Sequence, residues 1–145
     1  MREDILAAVQ FNAKLETKRR KQMFAGNIVA VEAALKALTA YWTPRIVGQV
    51  NDQYVKVAKL KGELAWHDHA EEDEMFFVVY GKLKIEFEDR AVLLGPGEFC
   101  IVAKGTRHNP VADEECGIML IETVSTKHTG DLVIERTVAI QDQLT

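Results

Sequence analysis

Cysteine is rare in this chain of 145 residues, and long apolar runs are absent. Cys100 and Cys116 are the two cysteines, and they lie in or beside apolar stretches without C-x-x-C spacing. This pattern predicts buried free thiols in a reducing compartment and not a disulfide framework. No apolar run approaches the length of a membrane span. The N-terminus also lacks the residue order of a secretory signal. We therefore expect a cytoplasmic protein without a membrane partner.

An excess of basic residues is also missing. Eighteen Lys and Arg stand against 22 Asp and Glu, for a formal net charge of -4. Phosphate backbones are bound by clustered Lys and Arg, so this balance argues against nucleic acid as the main partner. Apolar residues make up 48% of the chain and charged residues 28%, which is typical of one globular domain with a sizeable core.

The N-terminal part differs from the rest in composition. Residues 1–26 carry a net charge of about +3, which leaves the remaining chain near -7. A weak apolar stripe predicts a first helix over Met1 to Met23, which is either a functional helix or a solvated leader. Apolar residues at helical spacing from Val31 predict a second helix, docked on the main domain and ended before Pro44. We expect residues 1–41 to form a helical extension and residues 42–145 to form the main domain.

Short strands separated by turns follow from Arg45 onward. Predicted strands cover 46–50, 54–60, 74–80, 83–87, 91–94, 99–103, 111–112, 118–124 and 132–140, and a further strand carries His67. Turns recur every eight to twelve residues or so, without βαβ alternation and without a phosphate-binding glycine loop. The sequence therefore predicts an all-β protein, an antiparallel sandwich or barrel.

Two histidines and a carboxylate stand close together after Gly62. Residues i and i+2 of a strand point to the same face, so His67 and His69 form a chelating pair. Glu74 begins the next predicted strand in the phase that faces inward. His108 lies about three strands later, where a closing barrel brings it back to the other three. These four residues are the candidate metal ligands. Each histidine taken alone is more often an ordinary surface or core residue.

The spacing of these residues resembles the two motifs of the cupin superfamily. The first motif is matched by Gly62, His67-x-His69, Glu74 and Gly81, with a spacer after Gly62 that is one residue short. The second is matched by Gly97, Ala103-x-Gly105 and His108, where alanines replace the motif's proline and final asparagine, at Ala103 and Ala112. More narrowly, the chain resembles small single-domain bacterial cupins described as conserved-barrel or mannose-6-phosphate-isomerase-like proteins. That label does not assign the isomerase reaction.

The resemblance implies a double-stranded β-helix, or jelly-roll cupin barrel, with the N-terminal helical extension outside it. It also implies that the interior is lined by the metal ligands His67, His69, Glu74 and His108. Three imidazoles and one carboxylate suit Mn, Fe, Co, Ni, Cu or Zn. Octahedral coordination leaves positions for a substrate, whereas tetrahedral coordination closes the site. Sequence does not decide between these geometries.

Two functions remain open at this point. The protein is either a small metalloenzyme acting on a polar small molecule inside the barrel, or a non-catalytic small-molecule-binding or sensor barrel. No catalytic residue beyond the ligands is identified. Tyr80 and Arg107 are weak candidates for contacts with a substrate, and His128 is expected to be an exposed loop residue.

One strand also predicts assembly. Residues 75–79 are apolar on both faces, which requires cover outside the barrel as well as inside it. We therefore expect a homodimer.

Overall fold

The computed structural model describes residues 1–135 and 137–144, which form two helices, seven strands and a short 3-10 helix. The helices are α1 (Arg2–Phe24) and α2 (Val31–Lys36), and the 3-10 helix is Ile140–Leu144. The strands are β1 (Arg45–Val50), β2 (Gln53–Glu63), β3 (Glu74–Tyr80), β4 (Leu83–Phe87), β5 (Ala91–Leu94), β6 (Phe99–Val102) and β7 (His108–Thr123). The expected all-β domain with helices at its N-terminus is confirmed.

Every strand pairing is antiparallel, and the strands form the double-stranded β-helix that was expected. The order β1-β2-β7-β3-β6 makes one path, while β4 pairs with β5 and with β7. The long strand β7 pairs with β4 near His108, and with β2 and β3 towards Glu122. The predicted strands 111–112 and 118–124 are therefore two parts of one strand.

Alternating side chains of these strands fill the interior of the barrel. On β3, Glu74, Phe76 and Val78 point inward, and Tyr80 leaves this phase because the pairing with β7 shifts register after Val78. Branched and aromatic side chains from β2, β4 and β7 complete the core. This apolar packing fixes the strands that carry the candidate metal ligands.

The two helices relate to the barrel differently. Leu35 of helix α2 and Leu38, which follows the end of the helix at Lys36, pack against Val57 of β2, so the docking of this helix is confirmed. The chain then turns, and Trp42 has a positive φ and enters the barrel core instead of continuing the helix. Helix α1 has no buried residue and its weak apolar stripe stays largely exposed, although the helix contacts β1 and Arg20 donates to the hydroxyl oxygen of Tyr54 at 3.4 Å. Among the described residues, no helix combines the length and apolar character that a bilayer crossing requires.

Two predicted strands are wrong. The chain around His67 is irregular and makes only an isolated bridge to His108. The described residues between Leu132 and Ile140 form turns and irregular backbone. Leu132 and Val133 are exposed, so apolar residues of this stretch are not paired in a sheet, and β propensity alone misled the prediction.

Candidate metal centre

Three histidines converge inside the barrel. His67, His69 and His108 are buried, and each offers a ring nitrogen within 4.8 Å of the other two. Their ring centroids lie 4.4 to 5.8 Å apart. Three nitrogens bound to one ion at about 2.1 Å would lie roughly 3 to 4 Å apart. The observed spacing is therefore close to that of a three-nitrogen metal site.

Backbone contacts between two loops bring the histidines together. His67 and His108 each donate an N–H to the other's carbonyl oxygen, at 3.0 and 2.9 Å. Gly105 donates to the carbonyl oxygen of His69 at 2.7 Å, and Lys104 donates to Asp73 Oδ1 at 2.9 Å. The turn before His108 is thus fastened to the loop that carries the other two histidines.

The ring orientations of two histidines are fixed by their backbone neighbours. His67 Nδ1 donates to the carbonyl oxygen of Ala65 and His108 Nδ1 donates to that of Thr106, both at 2.9 Å. In the neutral rings this leaves each Nε2 as an unprotonated lone pair. The Nε2 atoms of all three histidines are buried, and none has a described hydrogen-bond partner apart from Glu74, which lies beside His69 Nε2. A cation at their centre would satisfy all three lone pairs at once.

Glu74 flanks this cluster. Its Oε2 lies 3.1 Å from His69 Nε2, and its Oε1 lies 3.9 Å from His108 Nε2. Burial lowers the pKa of His69, but the hydrogen bond and charge of Glu74 outweigh it and hold this pKa above its usual value. No such partner offsets burial at His67, whose pKa falls to about 4. The cluster therefore combines three imidazole rings with one carboxylate.

A second carboxylate and a lysine lie behind Glu74. Glu122 is its cross-strand partner on β7, and Lys56 Nζ lies 2.6 Å from Glu122 Oε1, with both side chains fully buried. Burial and the Glu74 charge raise the pKa of Glu122, against the effect of Lys56. Burial also acts to raise the pKa of Glu74, but hydrogen bonds from Glu122, His108 and His69 hold it well below its usual value. Glu74 is therefore linked, through Glu122, to a buried contact with Lys56.

Lys56 and Glu122 were not among the predicted site residues, although the alternation of each strand indicates that both side chains point into the barrel. Lys56 lies on the same inward face of β2 as Tyr54 and Ala58, and Glu122 lies on the same inward face of β7 as Leu120. A charged residue in the inward phase of an apolar strand indicates a buried polar group that needs a partner.

An apolar chamber opens beside the centre. It is bordered by His67 and Glu74, by core side chains including Trp42 and Phe76, and by His128. Its free volume of about 20 Å³ is enough for roughly one water molecule. The expectation that His128 is an exposed loop residue is wrong, because the ring is buried and its Nε2 accepts a 2.7 Å hydrogen bond from the N–H of Val138. The single histidine between two turn segments gave no sequence signal for this.

The other sequence candidates lie away from the centre. Tyr80 donates to Glu115 Oε2 at 2.9 Å on the outside of the barrel. Arg107 is exposed, with its Nε 3.8 Å from Glu88 Oε1. The two cysteines are free, as expected, but only Cys116 is buried, where burial raises its pKa to about 11. Cys100 is partly exposed.

Comparisons with known proteins agree with this architecture. The family model described as "Cupin domain" matches residues 54–122, which contain all three clustered histidines and Glu74. An uncharacterised protein of Bacillus subtilis, YdbB, is 34% identical over 83 residues, covering 57% of this chain and 71% of the relative. A cupin-2 domain protein of Shewanella frigidimarina has 38% identity and a TM-score of 0.65, over 66% of this chain and 94% of its own.

A further solved structure extends the likeness. Protein NMB1881 of Neisseria meningitidis has 28% identity and a TM-score of 0.62, over 67% of this chain and 99% of its own. Because the Shewanella cupin-2 domain protein is 38% identical over 94% of its own length and the cupin family model matches residues 54–122, the chain belongs to the cupin family.

Proposed function

We propose that this cupin holds one divalent transition-metal ion through His67, His69 and His108, with Glu74 as the fourth ligand, and binds a small molecule beside it. The convergence of three buried Nε2 atoms beside Glu74, two of them without any described hydrogen-bond partner, is the observation that carries the proposal. A buried acceptor without a donor or cation lowers stability, so a cation bound among these histidines would stabilise the folded protein.

The donor set narrows the kind of ion. Neutral imidazoles and a carboxylate favour Mn, Fe, Co, Ni, Cu or Zn over Mg and Ca, which prefer all-oxygen surroundings. Such an ion would supply Lewis-acid polarisation or redox chemistry to a molecule that reaches it. The protein's own residues hold the rings in one tautomer, keep Glu74 ionised and exclude bulk water.

The two functional classes make different use of this centre. In the metalloenzyme, which we favour, a small molecule with a polar group reaches the centre and is converted. In the alternative, a non-catalytic small-molecule-binding or sensor barrel, it binds unchanged. The buried Glu122 next to Glu74 favours the enzyme, because burial and the Glu74 charge raise its pKa, as at sites where carboxyl groups exchange protons. The mannose-6-phosphate-isomerase-like label receives no support from the chamber, where no described Lys or Arg side chain is available for a phosphate group.

Metal analysis tests the proposal. Protein purified without added metal is expected to contain close to one equivalent of a transition metal by elemental analysis, and His69→Ala is expected to lose it. Glu115→Gln, on the exposed outer surface, is the matched control and should keep the metal. A wild-type protein that neither retains nor takes up any of the six metals would refute the metal centre.

We also propose that the barrel forms a homodimer through an outer apolar patch, defined as Met75, Phe77, Phe99 and Ile101. Met75 pairs with Ile101 and Phe77 pairs with Phe99 across β3 and β6, so the four side chains share the outward face. Phe99 and Ile101 are about 60% exposed. A second copy would cover this patch and the unpaired edge of β6.

The division of the chain at residue 41 and a cytoplasmic location are further parts of the proposal. The first is supported by the exposed α1 and by the entry of Trp42 into the barrel core. The second is supported by the two free cysteines, which are usual in a reducing compartment.

A further inference from the structure

The segment that follows β7 contributes His128 to the wall of the chamber beside the centre. This closing segment, residues 124–135 and 137–144, contains the short 3-10 helix and packs against β1 and the histidine loop. Gly130 lies so close to the backbone of Asp68 that a Cβ atom would approach the Asp68 oxygen to 2.0 Å. The segment therefore fits tightly over the loop that carries His67 and His69.

Most of the segment's hydrogen bonds are internal. Thr129 Oγ1 donates to the carbonyl oxygen of Leu132 and contacts Thr137 Oγ1, at 2.7 and 2.9 Å. Gln143 Nε2 donates to the carbonyl oxygen of Val138 at 2.9 Å, and the N–H of Val138 donates to His128. A segment that satisfies its own backbone in this way can move as a unit without leaving the sheet ladder unpaired.

His128 is the polar side chain that this segment brings to the chamber. Its Nε2 accepts the hydrogen bond from Val138, so the neutral ring carries its proton on Nδ1. Among the described residues, none accepts a hydrogen bond from that Nδ1–H. Burial, followed by the charge of Lys56, lowers the pKa of His128 to about 4, which keeps the ring neutral at physiological pH.

The rest of the chamber wall favours an apolar ligand. Carbon side chains such as Leu60, Phe76 and Ile118 line it, and Glu74 is its one ionised side chain. An anionic group away from the metal would meet this carboxylate with no described basic side chain to balance it. The present free volume admits only about one water molecule, so a larger ligand requires part of the chamber wall to move.

We infer that the closing segment is a movable wall and that His128 Nδ1–H orients a small, uncharged, largely apolar ligand that carries a hydrogen-bond acceptor. This inference rests on the proposed metal centre, because it names the class of molecule that reaches it. His128 is thus a positioning group for the ligand and not a ligand of the metal.

Two isosteric substitutions separate this role from a purely structural one. His128→Gln can place its Oε1 near the original Nε2 and keep the bond from Val138, but it lacks a donor at Nδ1. His128→Asn can place its Nδ2 near the original Nδ1 and keep the donor, but it loses the bond from Val138. If His128 only holds the segment through Val138, His128→Gln should keep both stability and ligand binding. If His128 orients the ligand, His128→Asn should keep ligand binding.

The probes are cyclopentanone and cyclopentane, which are similar in size and differ in the carbonyl acceptor. Binding to the zinc-loaded full-length protein is followed by NMR shift titration. Wild type and His128→Asn are expected to bind cyclopentanone about fivefold more tightly than cyclopentane, the effect of one neutral hydrogen bond. His128→Gln should lose this preference while keeping its melting temperature and zinc content. Equal affinities for the two probes in wild type, or a preference retained in His128→Gln, would overturn the inference.

A second variant covers the case in which both His128 substitutions unfold the protein. Val138→Pro removes the N–H that holds His128 but keeps the histidine itself. It is expected to speed exchange of cyclopentanone at least severalfold, and an unchanged exchange rate would contradict a movable wall. Zinc content separates the two proposals. If no zinc binds, the metal centre fails, and the same titrations on metal-free protein still decide the role of His128.

Discussion

Lys56 and Glu122 form an ion pair with no solvent exposure in the barrel interior, with Nζ and Oε1 2.6 Å apart. The two residues come from β2 and β7, and Glu122 also faces Glu74 across the sheet. A buried charge that loses its partner keeps its full desolvation cost. The pair therefore joins the stability of the barrel to the position of the carboxylate beside the histidines.

Removal of one member of this pair should be costly. Lys56→Met is expected to lower the free energy of unfolding by about 3 to 5 kcal/mol in urea titrations, because Glu122 then stays buried without its cation. The double variant Lys56→Met with Glu122→Leu should recover most of this loss, since both charges are gone. Lys84→Met is the control, because Lys84 and Glu86 are partly exposed and their pair is worth about 1 kcal/mol or less. If Lys56→Met lowers the free energy of unfolding no more than Lys84→Met does, the Lys56–Glu122 pair does not stabilise the barrel as expected.

The histidines and Glu74 should differ in their importance for metal affinity. His108→Ala removes one of three convergent nitrogens, so we expect no measurable zinc binding at micromolar concentration. Glu74→Gln keeps the three nitrogens and the side-chain shape, and we expect about a 10- to 100-fold loss of affinity. Competition with a chromogenic chelator measures both. Equal losses in the two variants would mean that Glu74 contributes as much as a histidine.

The stability of the metal-free protein should depend on pH through His128. Its folded-state pKa of about 4 lies below the usual 6.5, so the unfolded chain binds the proton first as the pH falls. This group therefore costs stability progressively from about pH 6.5 down to about pH 4, and adds no further loss below that. His67, His69, Glu74 and Lys56 also act on its pKa, so the wild-type curve alone is a mixture.

Comparison with His128→Gln isolates the contribution of this group. Relative to that variant, wild type is expected to lose up to about 3 kcal/mol between pH 6.5 and 4 in urea titrations at each pH. Parallel stability curves for the two proteins would show that His128 is not held neutral by the fold.

Gly81 should tolerate a side chain less well than another glycine with a similar backbone. Gly81 and Gly97 have φ values of 81° and 82°. A Cβ atom at Gly81 would lie 2.6 Å from the carbonyl oxygen of Glu115, whereas nothing lies within 4 Å at Gly97. We expect Gly97→Ala to cost about 1 kcal/mol from backbone strain and Gly81→Ala to cost clearly more. Thermal unfolding checks the difference, and equal costs would exclude the clash.

The outer apolar patch should control assembly. Phe99→Lys with Ile101→Lys places two charges on it and is expected to convert a dimer to a monomer in light scattering at micromolar concentration. Val50→Lys is the control, because Val50 is exposed on β1 at the other end of the sheet path. A wild-type monomer, or a dimer that survives both lysines, would remove the patch as the interface.

Much of the fold follows from sequence because its signals are local. Alternation identified β3 and β4, and the motif glycines marked several of the turns. The phase of Glu74 correctly predicted an inward side chain. The convergence of His67, His69 and His108 could be expected only through barrel closure, since no local pattern joins residues about 40 positions apart.

The remaining features depend on tertiary contacts that leave no local pattern. His128 is buried because Val138 and the chamber wall enclose it, and no periodicity marks this. The strand predicted for 132–140 failed for the same reason, because the segment packs on a surface and does not pair. Lys56 and Glu122 had a visible signal in their phase, but each makes physical sense only once the other is in place.

Strand β7 also has a consequence for the order of folding. It begins at His108 and ends beyond Glu122, and it pairs with β2, whose residues precede it by about 50 to 70 positions in the chain. Closing so long a loop is entropically costly, so this pairing must form against a barrier that local hairpins do not face. Until β7 is in place, His67 and His69 lack their third nitrogen and Lys56 lacks its counter-ion. The proposed metal site is therefore incomplete in the newly made chain, and metal capture is expected only after the barrel closes.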